Sequence, residues 1–240
     1  EDTPLTEKLY KKNEPHRGFL DFLNAFNFTV HEDSPEDQTV AVDPEMLGHI
    51  FENLLEDNKD KGAFYTPKEI VHYMTQESLI EYLKTHLSHS REAIESLIKN
   101  HITTAFTRED LKTVEKLIDT VKICDPAIGS GAFPMGLLQE IFALKAVIHY
   151  ELGYSVWSPA KIKQDIIQNS IYGVDIEPGA VDIARLRFWL SLVVDEPTPK
   201  PLPNLDYKIM QGNSLIESFD GIDLSNLASA DEQIIDEQAT

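Results

Sequence analysis

Cysteine occurs once in 240 residues, at Cys124, so no disulfide can close within the chain and a cysteine-based zinc cluster has too few ligands. Positive charge is scarce. Lys and Arg number 21 against 41 Asp and Glu, a formal net charge of −20. A surface that neutralises phosphates should be basic, because counterion release supplies most non-specific affinity for nucleic acid. Only Lys8, Lys11, Lys12 and Arg17 cluster, so the segment is not expected to bind DNA by itself. No run approaches the roughly 18 apolar residues of a membrane span, and no signal-peptide pattern opens the chain; a cytoplasmic protein is expected. His49, His72, His86, His89, His101 and His149 lack metal-ligand spacing, and surface or helix-packing roles are expected for them. No Pro-Pro pair occurs anywhere.

What remains is an ordinary globular composition, 42% hydrophobic and 26% charged, with core enough for one α/β domain and a helical appendage. Residues 1–120 read as a helical N-terminal region. Within it Phe19, Phe22, Leu23 and Phe26 recur at helical spacing, and the acidic stretch His31–Gln38 follows. Asp43-Pro44 reads as an N-cap and first-turn proline before the stripe Met46, Leu47, Ile50, Phe51, Leu54 and Leu55. Thr66-Pro67 caps a second helix, with Ile70, Val71, Met74, Leu79, Leu83 and Leu87 as its inner side. Further helices are predicted over Arg91–Lys99 and Arg108–Ile118.

From residue 121 to 217 the pattern changes. Strands are predicted at Val121–Cys124, Ile171–Ile176 and Tyr207–Gln211, and helices over Ala132–Tyr150, Pro159–Gln168 and Pro178–Leu192. Alternating strands and helices at these spacings imply a parallel, doubly wound sheet. Residues 218–240 read as an acidic connector or tail. Arg185 and Arg187 are expected to be solvated or paired with acids, and Trp157 and Trp189 to anchor the core.

Ligands of open parallel sheets bind outside the carboxyl ends of the strands, and three strand ends carry unusual residues. Asp125-Pro126-Ala127-Ile128-Gly129-Ser130-Gly131-Ala132-Phe133 follows the first. Its glycines allow close backbone approach, the following helix offers free N–H groups, and Asp125 can meet a cation. Pro134 stands where a dinucleotide fingerprint wants glycine, which weakens an NAD reading. Tyr172-Gly173-Val174-Asp175-Ile176-Glu177 closes the second strand. Asp175 can accept two bonds from a ribose diol and Ile176 can pack on an adenine, or the carboxylate can simply face a helix dipole. Gln211-Gly212-Asn213-Ser214-Leu215 closes the third. Asn213 can read an adenine edge or bond its own backbone in a turn.

Asp125 to Phe133 resembles motif I of the amino-methyltransferases, and Gly62-Ala63-Phe64-Tyr65-Thr66-Pro67 resembles motif X of the gamma-class adenine-N6 DNA methyltransferases. Asp175 matches the motif II acid and Asn213 the motif III position, in the gamma-class order X, I, II, III. The likeness covers roughly residues 43–217 and is strongest with type IIG restriction–modification and phage-defence enzymes. It implies a Rossmann-like S-adenosylmethionine-dependent methyltransferase fold. Tyr65, Thr66 and Pro67 would close over the cofactor. Asp125, Pro126, Gly129, Gly131 and Ala132 would hold its methionine end, Asp175 and Ile176 its ribose and adenine, and Asn213 and Ser214 the adenine edge. Two positions depart from the family pattern: Ile128 stands where Cys is frequent, and Asn213 where Asp is common.

The family's catalytic Asn/Asp-Pro-Pro-aromatic motif has no counterpart here. The resemblance therefore implies the cofactor-binding portion of a DNA methyltransferase, truncated before its catalytic motif, inactive alone, and reaching DNA through regions outside this sequence. An upstream nuclease domain is a further expected partner. A protein or RNA amide methyltransferase and a non-catalytic interaction scaffold are the alternatives, and self-association through an exposed sheet edge is expected.

Overall fold

The computed structural model describes residues 27–29, 39–41, 66–195, 205, 207–219 and 222–223. The expected helix after Asp43 and the lid residue Tyr65 lie outside these. Near the start, β1 (Asn27–Thr29) and β2 (Thr39–Ala41) pair in parallel, a small sheet within a region expected to be helical.

Among the described residues, three helices precede the main sheet. In α1 (Lys68–His86), Pro67 occupies the N-cap, Glu69 stands in the first turn, and Lys84 and His86 stand in the last. That charge order suits the helix dipole. In α2 (Arg91–Asn100), the Ser90 hydroxyl accepts from the Ala93 N–H at 3.2 Å. A capping box opens α3 (Arg108–Thr120): Asp110 accepts the Thr107 N–H at 2.8 Å while Thr107 accepts the Asp110 N–H at 3.2 Å. Apolar residues at intervals of three and four, Ile94, Leu97 and Ile98 in α2 and Leu111, Val114 and Ile118 in α3, form their buried faces.

The inner face of α1 differs from the expected one. Ile70 and Met74 are exposed, and the buried stripe is Val71, Thr75, Gln76, Leu79, Ile80 and Leu83. The neighbouring helix α4 (Ala132–Leu152) causes this rotation. At Gly136 of α4 a Cβ would lie 2.6 Å from Val71 Cγ1 and 3.1 Å from Thr75 Cγ2. The missing side chain therefore admits Val71 and Thr75, and turns Ile70 and Met74 outward. One turn further, the His72 ring pairs with Glu140 at 2.7 Å.

Helix α4 is the centre of the molecule. Leu138, Ile141, Leu144 and Ile148 on it are at most 1% exposed, and it packs against α1, α3 and α5 (Pro159–Ser170). It connects to a three-stranded parallel sheet of order β3 (Ile123–Asp125), β4 (Ile171–Asp175), β5 (Ile209–Gln211). Helix α6 (Pro178–Val193) packs on β4 and β5. The strands are shorter than their sequence patterns suggest: Val121 caps α3, and Tyr207 stands in a turn. Registers align Asp125 with Gly173, and Asp175 with Gln211. After Glu217, β6 (Ser218–Phe219) and β7 (Ile222–Asp223) pair antiparallel, where a structureless connector was expected.

The α1–α4 contact makes a clear prediction. Gly136→Ala overpacks a core without slack and is expected to cost about 1–3 kcal/mol. In urea unfolding, the double variant with Val71→Ala should cost less than the two single changes added together. Additive losses would mean that Val71 does not limit that approach.

Candidate functional site

The carboxyl ends of β3, β4 and β5 come together through hydrogen bonds between their turns. After β3, Asp125 Oδ1 accepts the Ala127 N–H at 3.1 Å, and the Gly131 N–H donates to the Ile128 carbonyl at 2.8 Å. Gly129 has φ of 52° and Gly131 φ of 89°. A side chain at either would be strained, and at Gly131 its Cβ would lie 3.2 Å from Ala184 Cβ on α6. Gly131 is also the N-cap of α4, so the turn is compressed between the end of β3, the start of α4 and the wall of α6.

Asp175 ties this turn to β4. Its Oδ2 accepts the Gly129 N–H at 2.8 Å and its Oδ1 accepts the Glu177 N–H at 2.9 Å. A carboxylate offers about four lone-pair sites, so two remain for a ligand. Beneath the turn, buried Ile128 fills the space over Gly173, where a Cβ would lie 2.3 Å from Ile128 Cδ1. The Ile128 N–H donates to the Val174 carbonyl at 3.0 Å. Ile128 thus serves as the apolar floor of the turn.

The third strand end joins through Ser214, whose hydroxyl donates to the Pro126 carbonyl at 2.7 Å. Asn213 Oδ1 accepts the Leu215 N–H at 3.0 Å, the local turn that its sequence allowed as one of two readings. Gln211 Nε2 reaches the Ile176 carbonyl at 3.3 Å, and the Ile176 side chain is 67% exposed beside these groups. Asp125, Gly129, Asp175, Ile176, Asn213 and Ser214 therefore lie in or beside turns at one end of the sheet that hydrogen bonds join together. Ala132 opens α4 beside them. Thr66 and Pro67 stand at the entry to α1, one turn before its contact with α4 at Gly136.

The electrostatics of the rim are unusual. Asp125 Oδ2 is buried and has no hydrogen-bond partner among the described residues. Burial pushes the Asp125 carboxyl above the usual carboxylate range; the Ala127 N–H opposes this, and the neighbouring charge of Asp175 adds to it. No group of three or more His, Cys, Asp or Glu suited to a metal ion occurs among the described residues. No helix among them is long and apolar enough to cross a membrane.

Sequence reasoning missed two residues on α6. Arg187, expected in solvent or beside an acid, is 4% exposed and donates to the Ser130 carbonyl at 2.8 Å. Arg185 donates from Nη2 to the Ile209 carbonyl at 2.6 Å. The available signal was position: Arg187 falls three residues after Ala184 and four before Ser191, within the stripe that α6 buries. The expected tryptophan anchors are half-buried, Trp157 lying against Phe142 and His149.

Known proteins match the chain as follows. Residues 99–197 match the family described as the MmeI DNA-methyltransferase domain. The chain is 31% identical over 231 residues to a Methanocaldococcus jannaschii protein named "Putative type II restriction enzyme and methyltransferase", covering 88% of this chain. It is also similar in fold to the type IIL restriction–modification enzyme MmeI, solved in complex with DNA. The TM-score is 0.51 at 19% identity over 74% of this chain. The chain spans 19% of the length of the first protein and 24% of the second.

Asp125→Asn tests the electrostatics directly. A carboxyl whose folded value is raised penalises folding above that value, and the penalty disappears below the ordinary carboxylate range. The variant is expected to melt above the wild type at neutral pH, with the gain shrinking as pH falls. Thermal unfolding measured from acid to neutral pH checks it; an unchanged difference across that range would contradict the assignment.

Proposed function

We propose that this chain is the S-adenosylmethionine-binding part of an adenine-N6 DNA methyltransferase of the restriction–modification kind, with a Rossmann-like sheet at its centre. One observation carries the reading. Two carboxylates at adjacent strand ends flank a glycine turn, one with a buried oxygen that no donor among the described residues satisfies and the other still able to accept. That donor-poor, acidic pattern suits a ligand with an ammonium group near a ribose diol. A nucleoside polyphosphate would be repelled by it.

In this reading Asp125 Oδ2 takes the ammonium of the methionine moiety, and the turn Gly129–Gly131 and the first turn of α4 border its carboxylate. Asp175 accepts the ribose hydroxyls while continuing to hold the Gly129 N–H. Ile176, exposed at the rim, covers one adenine face. Asn213 has its oxygen committed to Leu215 and meets the adenine edge as a donor, and Ser214 keeps the third turn against Pro126. Pro126 and Ala132 shape the walls, and Tyr65, Thr66 and Pro67 close over the cofactor. Bound S-adenosylmethionine supplies a methyl group already activated on a sulfonium, so positioning it against the acceptor amine supplies much of the rate.

The acceptor side lies elsewhere. The sequence holds no Pro-Pro pair and has a net charge of −20. Orientation of the flipped adenine and the bulk of DNA contact are therefore assigned to other parts of a longer protein. The 240 residues alone are expected to bind the cofactor without methylating DNA.

Calorimetric titration of S-adenosylmethionine tests the reading. Asp175→Ala removes the diol acceptor and should weaken binding by about 1.5–3 kcal/mol, ten- to a hundredfold. A folded wild type that produces no heat, or a variant that binds equally well, would reject the site. pH adds a second test. The ammonium pairs only with ionised Asp125, so affinity should fall as pH drops through that group's raised value. Asp125→Asn should bind more weakly at neutral pH and lose that dependence.

A further inference from the structure

Helix α1 carries large apolar side chains on two sides. Its inner stripe is buried, and the helix packs against α2 and α4. On the outer side Ile70, Tyr73 and Met74 are 48%, 64% and 46% exposed. Residues three and four apart on a helix share a face, so these three form one patch. Beyond Met74 the same side turns polar, through Glu77, Ser78, Glu81, Lys84 and Thr85. The apolar part is thus confined to the first two turns, the end that adjoins Pro67. A single exposed apolar residue needs no explanation, but a patch at one end of a helix marks a contact.

The sequence just before α1 offers the complement. Within Asp43–Leu55, which lies outside the described residues, Met46, Ile50 and Leu54 recur every four residues, and so do Leu47, Phe51 and Leu55. A helix with such a stripe must bury it against another element. Residues 56–67 alone connect this segment to α1, and a short connection makes two helices antiparallel neighbours. The end of the stripe nearest the connection, Phe51, Leu54 and Leu55, then falls opposite the first two turns of α1. Charge disfavours a second copy of the chain as the occupant, because two molecules at −20 repel one another.

We propose that the segment Asp43–Leu55 docks as a helix on the outer face of α1, with Phe51, Leu54 and Leu55 against Ile70, Tyr73 and Met74. The two form a helical hairpin, and α1 is then covered on both of its apolar sides. The polar positions from Glu77 onward remain in solvent, where the ion pairs of Arg91 with Glu77 and Glu81 already stand. The inference concerns packing within this chain and does not depend on the cofactor reading.

The test uses the full chain, wild type beside Met74→Glu, and reads amide hydrogen exchange. Wild type is expected to exchange slowly across residues 46–55, at a rate that does not change on dilution. Met74→Glu puts a charge into the contact and should speed exchange there by about tenfold or more, while α3 and α4 keep their rates. On a bare helix surface the same substitution is harmless, since glutamate is a good helix former. Unchanged exchange at 46–55 in the variant, or unprotected amides there in the wild type, would therefore overturn the proposal. Protection of α1 that rises with protein concentration would overturn it too, in favour of a second copy on the patch. Nuclear Overhauser contacts supply the direct readout: the Met74 methyl is expected to meet the methyls of Leu54 or Leu55. If Met74→Glu does not fold, those contacts in the wild type decide the matter, and their absence rejects the docking.

Discussion

The hydrogen bond from the Gly129 N–H to Asp175 joins the first strand end to the second, and the geometry of the rim depends on it. Without that acceptor, the Gly129 N–H would lose its tie to β4, and the Ile128-to-Val174 bond would remain as the backbone link between the turn and that strand. The bond is charge-assisted, and so stronger than a neutral one. It also uses a carboxylate that accepts two bonds and has about two lone-pair sites left. One side chain can therefore shape the turn and stay available to a ligand, which is economical in a sheet of three short strands.

The same economy carries a cost at Asp125. Two carboxylates on neighbouring strands repel one another, and Asp125 is further penalised by burial, its buried Oδ2 having no donor among the described residues. Nothing in the packing requires an acid there: the Ala127 N–H would be equally well served by an amide oxygen. Stability alone would favour Asn at this position. An acid that the fold does not need and partly resists is intelligible as half of an interaction whose other half arrives with a ligand.

Much of this was legible in the sequence. Helices showed through their stripes and first-turn prolines: α3 lies where a helix over Arg108–Ile118 was expected, and Pro178 opens α6. The three strand-end motifs were visible because glycine and acid at the end of an apolar run have few structural uses. In α1 the expected inner residues Val71, Leu79 and Leu83 are buried but Ile70 and Met74 are not, since either member of the pair Ile70-Val71 can face inward. Only the close approach at Gly136, a property of another helix, selects between the choices. The burial of Arg187 was not legible because a charged side chain is ordinarily solvated, and one of its partners is a carbonyl, which no sequence pattern advertises. The β6–β7 pair was missed despite a usable signal: Asp220-Gly221 lies between Phe219 and Ile222, a dipeptide favoured in two-residue hairpins.

The net charge bears on how such a segment fits the proposed function. S-adenosylmethionine carries a sulfonium, an ammonium and a carboxylate, a net positive charge, while DNA is a dense polyanion. A chain at −20 produces a field that raises the local concentration of the first and repels the second. A methyltransferase must hold both at one crevice. Placing cofactor recognition on an acidic segment and DNA contact on separate, basic surface resolves that conflict, because screening over roughly 8–10 Å lets two opposite potentials coexist on one protein. Close to the crevice the cost changes sign with occupancy. On the proposed reading, the acidic pair Asp125 and Asp175 repels a phosphate backbone most when the cofactor is absent, and least when an ammonium and a sulfonium lie between them and the duplex. By electrostatics alone, cofactor binding should favour DNA approach at this site, and through thermodynamic linkage DNA should in turn favour the cofactor.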